Sequence, residues 1–169
     1  VELFADEKMF PQLQNPSQMA FDNKGRLWVG CMGSYPHWKI GDPMPNDKII
    51  VLEDTDNDGK ADKATSFVEN IHIPMGFEIT EHGVFVSLGK NLVLFHDSDG
   101  DGKADTQQLV LSGFDDHDTH HAISSFCAGP SGAIYMGEGT FSHSNVETPY
   151  GPVRGTHGGF YRYNPTKMH

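Results

Sequence analysis

The sequence predicts an all-β fold, a β-propeller of four-stranded blades, on three observations. Outside residues 6–10, where a single helical turn is expected, no segment carries 3.6-residue apolar periodicity; short runs of β-branched and aromatic residues recur instead between Gly, Asn and Asp clusters. The acidic phrase DTDNDGKADK, from Asp54 to Lys63, returns as DSDGDGKADT, from Asp97 to Thr106, 43 positions later. The order strand, turn, strand, outer hairpin also repeats at a period of about 40 to 50 residues, the spacing of propeller blades.

Taken in order, the first blade is expected over 17–70. Strands at 18–21 and 27–30 flank a turn at 22–25; a long insertion follows, and strands at 49–53 and 65–69 flank the first acidic loop. The second blade, 73–114, repeats this with strands at 76–80, 84–88, 92–96 and 107–111, a turn at 81–83 and the second acidic loop. The third, 119–169, has strands at 122–127 and 133–137 around a turn at 129–132, then a further strand at 159–163. About three blades leave the ring incomplete, because propellers close with roughly four to eight and an open array exposes sheet faces and edges. Further blades, in the same or another chain, are the expected partners.

Composition narrows the function. Twelve Lys and Arg against 23 Asp and Glu give a formal charge of −11, which repels phosphate backbones and anionic bilayers, so nucleic acid is excluded as a partner. No apolar run approaches the roughly 18 residues that span a bilayer as a helix. Cys31 and Cys127 cannot form a disulfide framework and are expected as free, buried thiols, although sequence leaves their pairing open.

The two acidic loops read D-x-D-x-D-G-x-x-D. Asp54, Asp56, Asp58 and Asp62 in one, and Asp97, Asp99, Asp101 and Asp105 in the other, occupy positions 1, 3, 5 and 9, with glycine at 6 for the sharp turn. The carbonyls of Lys60 and Lys103, at position 7, add an expected oxygen donor. This is oxygen-rich calcium chemistry, predicting two Ca2+ sites; the strand flanks and Thr65 and Gln108 at position 12 distinguish the loops from helix–loop–helix hands. They resemble the calcium hairpins of integrin-type propeller blades. The alternative is a pair of tight turns with Asp used for local hydrogen bonding. Calcium of modest affinity implies a secreted or periplasmic location.

Chemistry is expected in the stretch DDHDTHHAISSFCAGPSGAIYMGEGTFSHSN, Asp115 to Asn145. His117, His120 and His121 precede the innermost strand of the third blade, and His143 follows the next one. Asp116, Asp118 and Glu138 supply carboxylates that could orient an imidazole base. The same histidines could bind a transition metal, although His117, His120 and His121 lack a single clean ligand spacing. Two long loops complete the picture: 31–47 carries Tyr35, His37 and Trp38, suited to stacking on sugars, and 141–159 carries Arg154, which could clamp a carboxylate or quinone or pair with Glu147 or an Asp.

His121, Phe126, Gly129-Pro130 and GAIYMGEG resemble the inner-strand motif of soluble PQQ-dependent sugar dehydrogenases. A wider resemblance covers nearly the whole chain, from VELFADE through NPSQMAFDNKGRLWVG, DKIIVLEDTDNDGKADK and VETPYGPVR to GGFYRYNP. It is to secreted, membrane-bound-dehydrogenase-like propellers, which are often fused to a c-type haem domain. The resemblance implies the N-terminal half of a six- or seven-bladed, quinone-dependent sugar or alcohol dehydrogenase-like protein, with electrons leaving to a haem partner. It implies His121 as base toward the substrate hydroxyl, with the adjacent His120 as its rival; Arg154 and His143 are the candidates for PQQ that these residues themselves offer. No C-x-x-C-H occurs in these residues, and the quinone-holding Arg and Lys positions of the sugar dehydrogenases fall largely in later blades. Two other classes stand beside this reading: a non-catalytic calcium-stabilised propeller that binds carbohydrate or protein, and a metal-dependent lyase or hydrolase using the histidines.

Overall fold

The structure is a computed structural model that describes residues 1–168. It contains two complete four-stranded antiparallel meanders and a third that is three-stranded among the described residues. The first is β1 (Pro16–Phe21), β2 (Leu27–Cys31), β3 (Asp47–Glu53) and β4 (Lys63–Ile71), paired in that order. The second is β5 (Pro74–Thr80), β6 (Gly83–Leu88), β7 (Asn91–His96) and β8 (Thr106–Ser112). The third pairs β9 (Ser124–Ala128), β10 (Ile134–Glu138) and β13 (Gly159–Tyr163), with a hairpin of β11 (Asn145–Val146) and β12 (Val153–Arg154) between β10 and β13. The helical turn expected at 6–10 is a single turn, closed by Phe10 N to Asp6 O at 2.9 Å and not continued, with Asp6 Oδ1 capping Lys8 N and Met9 N.

The innermost strands touch across the three sheets, β1 against β5 and β5 against β9. That contact order makes the sheets blades around a common axis. Gln18 on β1 fixes it chemically: its amide nitrogen donates to Phe77 O on β5 at 2.7 Å, and its Oε1 accepts from Phe126 N on β9 at 3.1 Å. Ser17 Oγ donates to Pro74 O at 2.6 Å. The strands come this close because Gly76 has no side chain; a Cβ there would lie 2.5 Å from the Phe126 ring.

Period-2 alternation then buries both faces of the middle blade. Val84, Val86, Val93 and Phe95 face the first blade, meeting Trp28, Ile49, Val51 and Phe67. Phe85, Leu92 and Leu94 face the third, meeting Phe126, Ile134, Met136 and Tyr163. The far side of the first blade, with Val29, Cys31, Ile50 and Leu52, is packed by Phe4, Ala5, Phe10 and Leu13 of the N-terminal segment, and Ala61 N donates to Phe4 O at 2.9 Å. The far side of the third blade is bare: Cys127, Tyr135, Phe160 and Arg162 are exposed on it. Cys31 and Cys127 are both free, as expected, but only Cys31 is buried; Cys127 is exposed because it alternates onto that bare face.

An antiparallel meander sends its turns to alternate ends. The β1–β2, β3–β4, β5–β6, β7–β8 and β9–β10 turns therefore lie at one end of the blades. The blade-to-blade crossovers and the second-to-third strand connections, including the insertions 32–46 and 139–158, lie at the other.

Candidate functional site

The two acidic loops occupy the first end. In each, three carboxylates converge: one oxygen of each of Asp54, Asp56 and Asp58, and likewise of Asp97, Asp99 and Asp101, lies within 4.8 Å of the others. Backbone donors pre-shape the loops, Gly59 N to Asp54 Oδ2 and Gly102 N to Asp97 Oδ2, both at 2.9 Å. Asn57 and Gly59, and Gly100 and Gly102, take the positive φ these turns require. The fourth carboxylate of each loop stands apart from the trio. Asp62 Oδ2 accepts from Thr55 N and Oγ1, and Asp105 Oδ2 from Ser98 N and Oγ, so position 9 staples the loop to position 2. Lys60 N and Lys103 N donate to the position-5 carboxylates, Asp58 and Asp101. An oxygen-seeking cation suits three convergent carboxylates on a pre-turned loop.

The other end holds seven of the nine histidines among the described residues: His37, His72, His117, His120, His121, His143 and His157. Asp115 organises one group. Its Oδ1 accepts from His117 N at 3.0 Å and meets His117 Nδ1 at 2.6 Å, while Oδ2 accepts from His143 N at 2.6 Å. Backbone donors at His117 and His143 hold the Asp115 carboxyl down at about 2, and the Asp115 hydrogen bond raises the His117 imidazole above its ordinary value. Beneath it, Ser144 Oγ accepts from Asp115 N at 2.8 Å and donates to buried Glu138, whose other oxygen accepts from Tyr161 Oη at 3.0 Å. Burial pushes the Tyr161 phenol up to about 12. Glu138 is thus committed to the fold rather than offered to a ligand.

Asp118 organises the second group, on the 3-10 turn Thr119–His121. Its Oδ1 is 2.7 Å from His120 Nδ1 and its Oδ2 is 3.0 Å from His121 Nδ1. The two imidazoles lie 4.4 Å apart. His121 is held from below: its carbonyl accepts from Gly139 N at 2.9 Å, and a Cβ at Gly139 would come within 2.8 Å of the side chain. The first-blade insertion leans over this turn, with the Tyr35 ring 6.4 Å from that of His120. Farther along it, Trp38 packs on His72 at 4.5 Å and lines a cleft of about 420 Å³ with Gln14, Ser34, His37, Asp42 and Asn46.

Sequence reasoning missed two anchors of this end. Asp115 was passed over for Asp116 and Asp118, since its partner His143 lies 28 residues on. Fully buried Asp47 accepts from Ser34 N and Oγ and from Ile73 N, tying the insertion to the first crossover; nothing in a single Asp before a strand signals that. The predicted clamp is dispersed. Arg154 Nε donates to Asn145 Oδ1 at 3.1 Å within the β11–β12 hairpin and makes no ion pair with Glu147 or an Asp among the described residues, while the His143 ring packs edge-on to His157. A quinone bearing several carboxylates needs converging cations. Here Lys39, Lys48, Lys90 and Arg154 sit on separate segments, and Asp115, Asp116 and Asp118 dominate the turn. The residues present do not fit a PQQ clamp.

Fold and site together define a propeller arc with acidic loops at one end and a histidine-rich mouth at the other. Residues 1–169 match, along their whole length, the family described as DUF7133, a domain of unknown function, and the chain belongs to that family. No curated protein sequence matches it. Among solved structures it is similar to an iodide structure of Trichoderma reesei Carbohydrate-Active Enzymes Family AA12, with 15% identity and a TM-score of 0.57, covering 76% of this chain and 31% of that one. It is also similar to a protein assigned as a gluconolactonase, with 16% identity and a TM-score of 0.52, covering 86% and 48%. At these identities the likeness is one of fold. The chain spans less than half the length of either.

Proposed function

We propose that residues 1–169 form the hydroxyl-activating side of a sugar- or alcohol-oxidising propeller, an arc of a ring completed by further blades in the same or another chain. The observation that carries this reading is Asp118 against His121 on a turn at the mouth of the inner strands. The Asp118 carboxylate stands 3.0 Å from Nδ1 without a hydrogen bond to it, and its charge attracts the N–H edge of the ring, which leaves Nε2 as the base toward a substrate hydroxyl. A redox group of the quinone class, implied by the sequence resemblance, would have to be held by residues outside this segment to supply the hydride acceptor, with a haem domain as the onward electron partner. The acidic loops are structural Ca2+ sites, and calcium of that kind fits a secreted or periplasmic protein. The fold-level similarity to a carbohydrate-active enzyme is consistent with this reading and carries no residue role.

The test is sugar- and alcohol-dependent reduction of an artificial electron acceptor by the full-length protein. His121→Ala should lower kcat by roughly 10²- to 10⁴-fold, the size of a general-base contribution, with little change in KM. Wild-type turnover unaffected by the substitution would overturn the base assignment. The Trp38 cleft favours a second reading, carbohydrate binding without chemistry; saturable sugar binding with no acceptor reduction by the wild type would select it.

A further inference from the structure

We infer that Asp118, His120 and His121 form a binding site for a divalent transition-metal ion of the zinc class, separate from the calcium loops. Their ligand atoms, one from each side chain, all lie within 4.8 Å of one another. Two details set this group apart from an ordinary Asp–His pair. Each oxygen of one carboxylate faces a different imidazole nitrogen, at 2.7 and 3.0 Å. In addition, His121 Nδ1 is shielded from solvent yet makes no hydrogen bond, although a carboxylate oxygen lies 3.0 Å away. The Asp115–His117 contact, a true hydrogen bond at 2.6 Å, shows what an aligned pair looks like six residues away.

A buried nitrogen without a partner is costly, and a cation between it and the carboxylate removes that cost. Two imidazoles and one carboxylate are a donor set for zinc, copper or non-haem iron and a poor one for calcium, which takes oxygens. Zinc bonds of about 2.0 to 2.2 Å place neighbouring ligand atoms roughly 3.3 Å apart in a tetrahedron, a span within the 4.8 Å that already encloses the three ligand atoms, so side-chain adjustment alone can close them on the ion. Gly139 beneath His121 fixes one ligand, whereas His120 and Asp118 are about half exposed, leaving the ion an entry path and open positions for water or substrate. Tyr35 walls the side toward the first blade.

Binding itself needs no step of the oxidation reading; its consequence for activity rests on that reading. An ion here takes the carboxylate that orients His121, so zinc inhibits the hydroxyl-activating base. The experiment uses the full-length protein, stripped of metal, refilled with Ca2+ and titrated with Zn2+ by calorimetry and with Co2+ by visible absorption. Asp118→Asn and His120→Ala should each weaken binding of one equivalent by at least the roughly 10- to 100-fold seen for lost metal-site partners. Asp56→Asn, in a calcium loop at the opposite end, should leave it unchanged, and melting temperatures of Asp118→Asn and His120→Ala equal to that of the wild type exclude unfolding. No zinc or cobalt bound beyond the calcium-loop level, or binding that survives both substitutions, overturns the site. Acceptor reduction with and without Zn2+ is read separately, so the loss of either conclusion leaves the other intact.

Discussion

Asp115 shows how one carboxylate can arrange a mouth built from distant residues. It is held at about 2 and His117 above its ordinary range, so the pair is an ionic hydrogen bond over a definite pH window. The Asp115 contribution is complete above its unfolded value of about 3.9 and is lost as pH falls toward 2; the His117 contribution is complete below about 6.5 and is lost as pH rises through its raised value. Both are therefore in force between about pH 3.9 and 6.5. His117 is fully exposed, so the effect is a matter of its titration rather than of global stability. An NMR titration of the histidine ring protons should place the His117 midpoint above the ordinary 6.5 and return it there in Asp115→Asn; an unchanged midpoint would refute the pair. The crowding of His117, His120, His121 and His143 is plain in the sequence. What each one touches is not, because Asp115 reaches His143 across 28 residues, and Asp118 bends back on two neighbours only through a 3-10 turn.

At the level of the strand and loop, local chemistry was a good guide wherever pairing is local. The strands on either side of DTDNDGKADK and of DSDGDGKADT pair within their own four-stranded sheets, because alternating β-branched runs and Gly- or Asn-centred turns both favour an antiparallel meander. The β11–β12 hairpin was not foreseen: two-residue strands amid Pro, Gly and Thr carry no alternation to read. Nor did the sequence announce Gln18, whose two bonds to neighbouring blades are tertiary. The acidic loops sit in the outer hairpins, so binding there stiffens each blade's edge. If they hold calcium, chelation should release about two ions from this segment and remove about 2.7 kcal/mol of stability per site where calcium stands at 100 times Kd, read as a lower melting temperature. Asp99→Asn should remove one of the two ions. Metal analysis that finds no calcium, together with an unchanged melting curve, would reduce the loops to ordinary turns.

As a whole, the molecule is an arc. Its middle blade is buried on both sides and its first is packed by the N-terminal segment, but the third ends in a bare face carrying Tyr135, Cys127, Phe160 and Arg162. Phe160, on the edge strand β13, is 83% exposed, and with Tyr135 on β10 it gives that face a contiguous apolar surface. Among the described residues the histidine-rich mouth is open on the side of the third blade. We propose that the bare face is an interface covered by a further blade. Thiol labelling of the native full-length protein, with the modified cysteine located by mass mapping, tests it directly. Cys31, buried and with its thiol pushed up to about 12 by that burial, is the protected internal reference. With a further blade in place, Cys127 should be protected as well and react only on unfolding. Rapid labelling of Cys127 in the native protein would mean that nothing docks on the third blade and that no ring is completed there.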